Sequence, residues 1–173
     1  MDLKQLGKEI IEISYIEGEF TLSSGRSSTY IFDKYAFETR PKLLDAIARS
    51  MTERINSEIS RIAGMELGGV PLATALSLKT GLPFIIIKKG RKGYGTNKLI
   101  EGSLNNEDKV VLVEDIATTG SQAILAAKII EDAGASVSKI ICVVDREEGA
   151  RKEIENKGYK FEPLFTKTSL GIT

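Results

Sequence analysis

Three short apolar runs constrain the fold more than any other feature of the sequence. They are "PFIIIK" at 83–88, "KVVLVE" at 109–114 and "SKIICVV" at 138–144. Each run is rich in β-branched residues and apolar at successive positions, which is typical of a strand covered on both faces. Stretches with helical spacing separate the runs, and such helices supply the crossovers of a parallel sheet. The sequence therefore predicts an α/β fold with a central, mainly parallel sheet flanked by helices.

The remaining elements follow from apolar spacing and from turn residues. Leu3, Leu6 and Ile10 recur at helical steps, which predicts a first helix that ends near Gly18. Two short strands around a Ser/Gly turn are predicted within 20–32, and a second helix follows Pro41. Further elements are a weak strand at 59–64, helices from Pro71 to about Lys79, from Ser121 to Ala133 and from Gly149 to Lys157, and a final strand at 159–165.

Length and composition limit the organisation of the chain. With 173 residues, of which 42% are hydrophobic, residues 1–173 are predicted to form a single domain. Basic and acidic residues balance at 24 each, so we expect no nucleic-acid partner. The first ten residues lack a long apolar core and no run is long enough to span a membrane, so we expect a cytoplasmic protein without a membrane partner. The single cysteine, Cys142, fits a reducing compartment.

Histidine is absent from the sequence. It is the commonest general base and also the commonest metal ligand. A serine-histidine catalytic triad and a histidine-ligated zinc site are therefore excluded.

The segment "VVLVEDIATTGSQ" at 110–122 carries the strongest chemical signal. Glu114 and Asp115 end an apolar strand, and a loop of small and hydroxyl residues then leads into a helix. Backbone amides at a helix N-terminus, together with Thr and Ser hydroxyls, form a cradle for phosphate. Two acids repel a phosphate, so they must face another part of the same ligand, such as sugar hydroxyls or a magnesium ion. A ribose 5-phosphate satisfies both halves of the segment.

Other interpretations of this segment remain. A strand, a loop and a helix with Ser/Thr capping need not bind anything. A phosphoacceptor at Asp115 would need further acids near an N-terminal strand, which the sequence lacks. A Walker A loop is also absent, so nucleoside triphosphatase chemistry has no support.

The same segment closely resembles the phosphoribosyl-diphosphate motif of the type I phosphoribosyltransferases. The resemblance implies that family's fold, with a small N-terminal hood, and implies that the acids meet the ribose while the loop holds the 5-phosphate. "FTLSSGRSSTYIF" at 20–32 and "GMELGGVPLATAL" at 64–76 resemble the family's N-terminal segment and its diphosphate-binding turn. The similarity thus extends from Phe20 to about Ala150.

A basic, glycine-bearing loop follows the strand at 83–88. It could be a solvated hairpin or a nucleic-acid patch, but it is similar to the catalytic loop of orotate phosphoribosyltransferases. In that group an Arg-Lys pair precedes a Lys and a His, which correspond by position to Lys88, Lys89, Lys92 and Tyr94. Lys for Arg at 88 and Tyr for His at 94 are departures from the pattern.

Arg146 ends the third apolar run in the sequence "VVDREEG". It could pair with Glu147 or Glu148 in water. In orotate phosphoribosyltransferases an arginine in a similar context binds the orotate carboxylate, and a guanidinium fork matches a carboxylate in two parallel hydrogen bonds.

The resemblance therefore implies an orotate phosphoribosyltransferase that uses Mg²⁺, held through the substrate's diphosphate and ribose, and that forms a homodimer with shared active sites. Its substrates would be orotate and 5-phosphoribosyl 1-diphosphate (PRPP). The implied catalytic residues are Lys92, Glu114 and Asp115, and the implied orotate-binding residues are Thr118 and Arg146. The implied PRPP-binding residues are Lys88, Lys89, Lys92, Tyr94, Glu114, Asp115, Ile116, Ala117, Thr118, Thr119, Gly120, Ser121 and Gln122. The alternatives are a phosphoribosyltransferase for a purine or uracil acceptor and a nucleotide-sensing regulator with the same fold.

Overall fold

The N-terminal part of the computed structural model combines helices with a separate pair of strands. The structure describes residues 1–21, 25, 27–90 and 98–172. Its first elements are helix α1 (Leu3–Ser14), strands β1 (Tyr15–Thr21) and β2 (Ser27–Phe32), and helices α2 (Lys34–Glu38) and α3 (Pro41–Thr52). The antiparallel β1 and β2 form a two-stranded sheet apart from the main sheet.

A six-stranded sheet follows. Its strands are β3 (Arg61–Met65), β4 (Phe84–Ile87), β5 (Ile100–Glu101), β6 (Lys109–Ala117), β7 (Ser136–Asp145) and β8 (Phe161–Thr166). The spatial order is β5, β4, β3, β6, β7, β8, and every neighbouring pair is parallel except β4 with β5. The predicted α/β class with a mainly parallel sheet is confirmed. The carboxyl ends of β3, β4, β6 and β7 consequently meet at one edge of the sheet.

Helices cover both faces of the main sheet. The later ones are α4 (Gly69–Thr80), α5 (Ser121–Asp132) and α6 (Ala150–Asn156), and a 3-10 turn (Thr168–Leu170) follows β8. Val111 and Val113 of β6 pack with residues of α1, α3 and α4, whereas Val110 and Leu112 pack with α5 and α6. Because successive side chains of a strand point to opposite faces, a strand between two helical layers must be apolar at every position.

The first helix ends earlier than predicted. Helix α1 stops at Ser14 rather than near Gly18, and Gly18 lies inside β1. Tyr15 already has an extended backbone, and its ring contacts Tyr30 and Phe32 with centroid separations of 5.2 and 6.1 Å. Hydrogen bonds and aromatic contacts with β2 therefore outweigh the local helical pattern.

Other element bounds also differ from the prediction. Helix α4 begins at Gly69, since Pro71 is tolerated in a first turn where its missing N–H is not needed. Strand β6 continues to Ala117, which pairs with Asp145, so both acids belong to the strand. The last strand begins at Phe161. Helix α2 and strand β5 were not predicted, because five and two residues are too few to show a periodic pattern.

The opposite, amino edge of the sheet is held by a nearly buried ion pair. Arg61 Nε lies 2.9 Å from Asp108 Oδ2, and each side chain is 10% exposed. Asp108 also accepts hydrogen bonds from the Ser60 hydroxyl and the Asn105 amide, both at 2.8 Å. These contacts join the beginnings of β3 and β6, the two strands that carry the chemistry at their other ends.

We expect Asp108→Ala to lower the free energy of unfolding by about 3 kcal/mol, because it leaves Arg61 buried without a counter-ion. Glu58→Ala is the matched control. Glu58 pairs with Lys109 at 3.3 Å on the same edge, but the two side chains are 63% and 51% exposed. The control should change stability by less than about 0.5 kcal/mol. Urea unfolding of both variants measures the difference, and equal losses would show that the buried pair has no special role.

Candidate active site

A cavity opens at the carboxyl edge of the sheet. It is bounded by the end of β6, the start of α5, the turn between β3 and α4, Lys34 of α2 and Lys89 after β4. Ten of the residues implied for PRPP lie together on its wall: Lys89, Glu114, Asp115, Ile116, Ala117, Thr118, Thr119, Gly120, Ser121 and Gln122. The structure thus brings together residues that are separated along the chain.

The loop between β6 and α5 has the geometry of an anion cradle. Gly120 has φ +78°, and a Cβ at this position would lie 2.9 Å from Ile154 Cγ1, so the turn requires glycine. The N-cap residue of α5 is Gly120, which has no side chain to cap the helix, and the Ser121 amide has only a long contact of 3.5 Å with the Thr119 hydroxyl. The hydroxyls of Thr119 and Ser121 lie 3.1 Å apart at the same turn. Unpaired helix amides, the helix dipole and two hydroxyls together suit a phosphate group.

Asp115 is buried and held at both carboxylate oxygens. Only 2% of the residue is exposed. Oδ1 accepts a hydrogen bond of 2.5 Å from the Ile116 amide, and Oδ2 lies 2.6 Å from Lys34 Nζ. The turn after β3 makes room for this carboxylate, because a Cβ on Gly68 would overlap Oδ2. Glycine at 68 is therefore a steric requirement of the site.

Two other acids share this region with Asp115. Glu38 of α2 is 2% exposed, and its Oε1 would lie 2.9 Å from a Cβ on Gly68. Burial, and then the charge of Asp115, raises the pKa of Glu38 to about 8. The same two causes raise the pKa of Glu114 well above its ordinary value. Burial lowers the pKa of Lys34, but the hydrogen bond and charge of Asp115 outweigh it, so this pKa lies above its ordinary value. A protonated carboxyl can donate a hydrogen bond to a neighbouring carboxylate. Two acids with raised pKa values can therefore lie beside a third acid without strong repulsion.

The turn between β3 and α4 also fixes the chain after β4. Glu66 Oε1 accepts a hydrogen bond of 2.7 Å from the Lys89 amide. The Glu66–Leu67 peptide bond is cis. Lys89 and Glu66 both line the cavity, whereas Lys88 does not. Lys88 Nζ is paired with Glu101 of β5 at 2.8 Å. Lys92 and Tyr94 lie outside the residues that the structure describes.

Arg146 lies in a second, adjoining cavity. Its guanidinium carbon is 4.7 Å from the centre of the Tyr30 ring, and its Nε is 2.9 Å from Glu148 Oε1. The side chain is only 9% exposed, so this is not an ion pair in open water. Lys167 and residues 27–29 of β2 line the same cavity. A stacked aromatic ring beside a guanidinium offers a planar, anionic ligand both a face and a charge.

The backbone joins the two cavities. The Arg146 amide donates to the Ala117 carbonyl at 2.9 Å, and the Ala150 amide donates to the Thr118 carbonyl at 3.0 Å. These two hydrogen bonds therefore fix the separation between Arg146 and the loop that joins β6 to α5. Thr118, which the sequence assigned to both ligands, lies on the first cavity at this junction.

Sequence reasoning assigned no individual role to four residues that line the two cavities: Tyr30, Lys34, Glu66 and Lys167. It also missed Glu38, which is buried beside Asp115. Four of these five residues lie on short or irregular segments without an apolar pattern. "DKYAFE" at 33–38 did contain a helix-start signal, since Asp33 caps helix α2 by accepting a hydrogen bond of 3.1 Å from the Tyr35 amide.

Among the described residues, no group of three acids, cysteines or histidines could hold a metal ion. No helix in the described part of the chain is long and apolar enough to cross a membrane.

Comparison with known proteins agrees with this geometry. The phosphoribosyl transferase domain model matches residues 35–162. Orotate phosphoribosyltransferase of Methanocella arvoryzae is 47% identical over 153 residues, which cover 88% of this chain and 87% of the relative.

Solved structures agree as well. Orotate phosphoribosyltransferase of Mycobacterium tuberculosis H37Rv, crystallised with Fe(III) dicitrate, superposes with a TM-score of 0.88 at 32% identity and covers 99% of this chain and 100% of that one. The same protein in complex with PRPP gives 0.84 at 31% identity, again covering 99% and 100%. The chain therefore belongs to the phosphoribosyltransferase family, and within it to the orotate phosphoribosyltransferases.

Proposed function

We propose that the protein transfers the 5-phosphoribosyl group from PRPP to orotate and releases orotidine 5′-monophosphate and pyrophosphate. This reaction belongs to pyrimidine nucleotide biosynthesis. One observation carries the proposal: a phosphate cradle with an acid pair adjoins a cavity in which a buried arginine stacks on a tyrosine. The first half suits a ribose 5-phosphate and the second suits a planar carboxylate, and orotidine 5′-monophosphate contains both.

The reaction needs no covalent nucleophile. Orotate N1 attacks the anomeric carbon as pyrophosphate leaves, so catalysis consists of alignment and charge stabilisation. In the proposed arrangement, the amides and hydroxyls of 118–122 hold the 5-phosphate. Glu114 and Asp115 accept hydrogen bonds from the ribose hydroxyls, and the negative charge of Asp115 stabilises the oxocarbenium-like ribose. The absence of histidine is compatible with this chemistry.

The acceptor and the leaving group occupy opposite sides of the ribose in this proposal. Arg146 binds the orotate carboxylate, and the ring of Tyr30 covers a face of the base. Lys89 faces the diphosphate, together with Lys88 and Lys92 and the aromatic side chain of Tyr94 in the basic loop. For Lys88 this role requires release from Glu101.

Mg²⁺ fits this site as a substrate-bound ion. The described residues offer no cage of three ligands, and Lys34 already lies against Asp115 as a counter-ion. A hard ion that retains several waters binds diphosphate and ribose oxygens readily. The charge that Mg²⁺ would supply when bound there is positive charge that balances the leaving pyrophosphate. The chain's own contribution is to orient the ribose hydroxyls through Glu114 and Asp115.

We also propose a single domain, a cytoplasmic location and a homodimer in which the basic loop of each subunit reaches the partner's site. These proposals rest on the family resemblance and on the balanced charge of the sequence. A twofold interface would place each loop symmetrically over the other site.

The most informative test compares acceptors. With PRPP and Mg²⁺ present, orotate should be converted to its nucleotide, while uracil and the purine bases should react far more slowly because they lack the carboxylate. Chromatography of the nucleotide products measures each rate. If uracil or a purine reacted faster than orotate, that base and not orotate would be identified as the acceptor. No turnover of any base, with a salt-sensitive shift of RNA or DNA, would favour a regulator.

Arg146→Ala should raise the KM for orotate by about ten- to a hundredfold, because a charge-assisted bidentate contact is lost. The KM for PRPP should change little. Arg146→Lys should recover only part of the loss, since lysine lacks the fork. Arg49→Ala is the control, because Arg49 pairs with Asp45 on the surface and is 70% exposed. Unchanged orotate kinetics in Arg146→Ala would remove the arginine from the acceptor site.

Chelation of divalent ions should abolish turnover, and added Mg²⁺ should restore it, because the ion accompanies the diphosphate. The same chelation should leave the urea unfolding midpoint unchanged if no protein cage holds the ion. Full activity in metal-free solution would contradict the proposed role. A large loss of stability on chelation would instead indicate a metal bound by the protein itself.

A further inference from the structure

Helix α2 presents two charged side chains to the acid pair of β6. Lys34 and Glu38 are one helical turn apart and therefore lie on the same face of the helix. Lys34 Nζ is 2.6 Å from Asp115 Oδ2, and Glu38 and Asp115 both lie against the Cα of Gly68. Neither oxygen of Glu38 accepts a hydrogen bond within the described chain. The sequence motifs assign neither residue to the site.

The charges of this cluster do not balance if every group is ionised. Three carboxyl groups, from Glu38, Glu114 and Asp115, face one ammonium group, that of Lys34. Asp33 at the start of α2 adds further negative charge from outside. Burial and the neighbouring charge keep the pKa of Glu38 at about 8, and that of Glu114 well above its ordinary value. The raised pKa values of Glu38 and Glu114 therefore reduce the negative charge around the contact between Lys34 and Asp115.

We propose that Lys34 is a positioning residue of the donor site: it holds the Asp115 carboxylate in the orientation that accepts a ribose hydroxyl. This inference rests on the proposed function, since it assumes that Asp115 meets the ribose of PRPP. Lys34 lines the same cavity as the phosphate cradle, and its side chain is 30% exposed. It is therefore placed at the boundary between the buried acids and the ligand.

The geometry explains why orientation depends on Lys34. The Ile116 amide holds Oδ1 of Asp115 and Lys34 holds Oδ2, so the carboxylate has one preferred rotation. Each oxygen still has a lone pair for a ribose hydroxyl. Without the ammonium group, Oδ2 would lose its ion pair and only the Ile116 amide would hold the carboxylate. The carboxylate could then rotate away from the orientation that accepts a ribose hydroxyl.

Donor binding without an acceptor tests this directly, because no turnover is involved. Isothermal titration calorimetry with PRPP and Mg²⁺ would compare wild type, Lys34→Met and Lys34→Arg from about pH 5 to 9. Lys42→Met is the control, because Lys42 pairs with Glu9 at 3.3 Å but is 75% exposed and does not line the cavity. Urea unfolding of each variant would separate binding from folding.

Lys34→Met should weaken PRPP binding by at least about tenfold. The fall in affinity above about pH 8 that ionised Glu38 causes in wild type should also be absent, because no ammonium group remains for Glu38 to attract. Lys34→Arg should recover most of the affinity and the wild-type pH profile. Lys42→Met should bind like wild type. Wild-type affinity at every pH in folded Lys34→Met would overturn the proposal, as would a loss of stability alone.

Glu38→Gln provides a second test of the proposal, which remains available if Lys34→Met does not fold. In wild type, PRPP affinity should fall as the pH passes about 8, because ionised Glu38 competes with Asp115 for Lys34. Gln resembles the neutral acid, so this fall should disappear in the variant. Identical profiles above pH 8 would contradict the proposal. If wild type binds PRPP but does not use orotate, the proposed function fails while the role of Lys34 stands.

Discussion

The pairing of β6 with β7 is the constraint on which the site depends. In this parallel ladder Glu114 lies opposite Cys142, and Ala117 lies opposite Asp145. The loop that follows Ala117 and the arginine that follows Asp145 therefore emerge side by side. The Arg146 amide continues the ladder by donating to the Ala117 carbonyl at 2.9 Å. Backbone hydrogen bonds thus keep the phosphate site and the carboxylate site at a fixed separation, which does not depend on the side chains that line them.

Close packing and charge then specify what this edge can bind. Gly68 lets the turn after β3 lie against Asp115, where any larger residue would collide with its carboxylate. The buried acids carry less negative charge than their number suggests, because burial raises the pKa of Glu38 and Glu114. A phosphorylated ligand can approach such a site without strong repulsion. Lys34 supplies the one counter-charge that the described chain places directly on Asp115.

Much of this arrangement could be predicted from the sequence, and the exceptions have physical reasons. The apolar runs identified β4, β6 and β7 because strands buried on both faces leave an unmistakable pattern. The acid pair and the loop at 118–122 were found because their residue types are chemically unusual after such a strand. The contacts of Lys34 and Glu38 with Asp115 could not be predicted, because they join residues about 80 positions apart through a five-residue helix. Lys88 was assigned to the diphosphate by position, but the structure pairs it with Glu101 of a strand too short to predict.

The central claim is that one molecule spans both cavities, with its phosphate in the loop and its carboxylate at the arginine. A crystal structure with orotidine 5′-monophosphate tests it most directly, because this product carries both groups and does not react without pyrophosphate. The account predicts phosphate oxygens about 3 Å from the amides of 119–122, and the carboxylate within about 3 Å of the Arg146 guanidinium. A phosphate bound outside the loop, or a carboxylate directed away from Arg146, would contradict it.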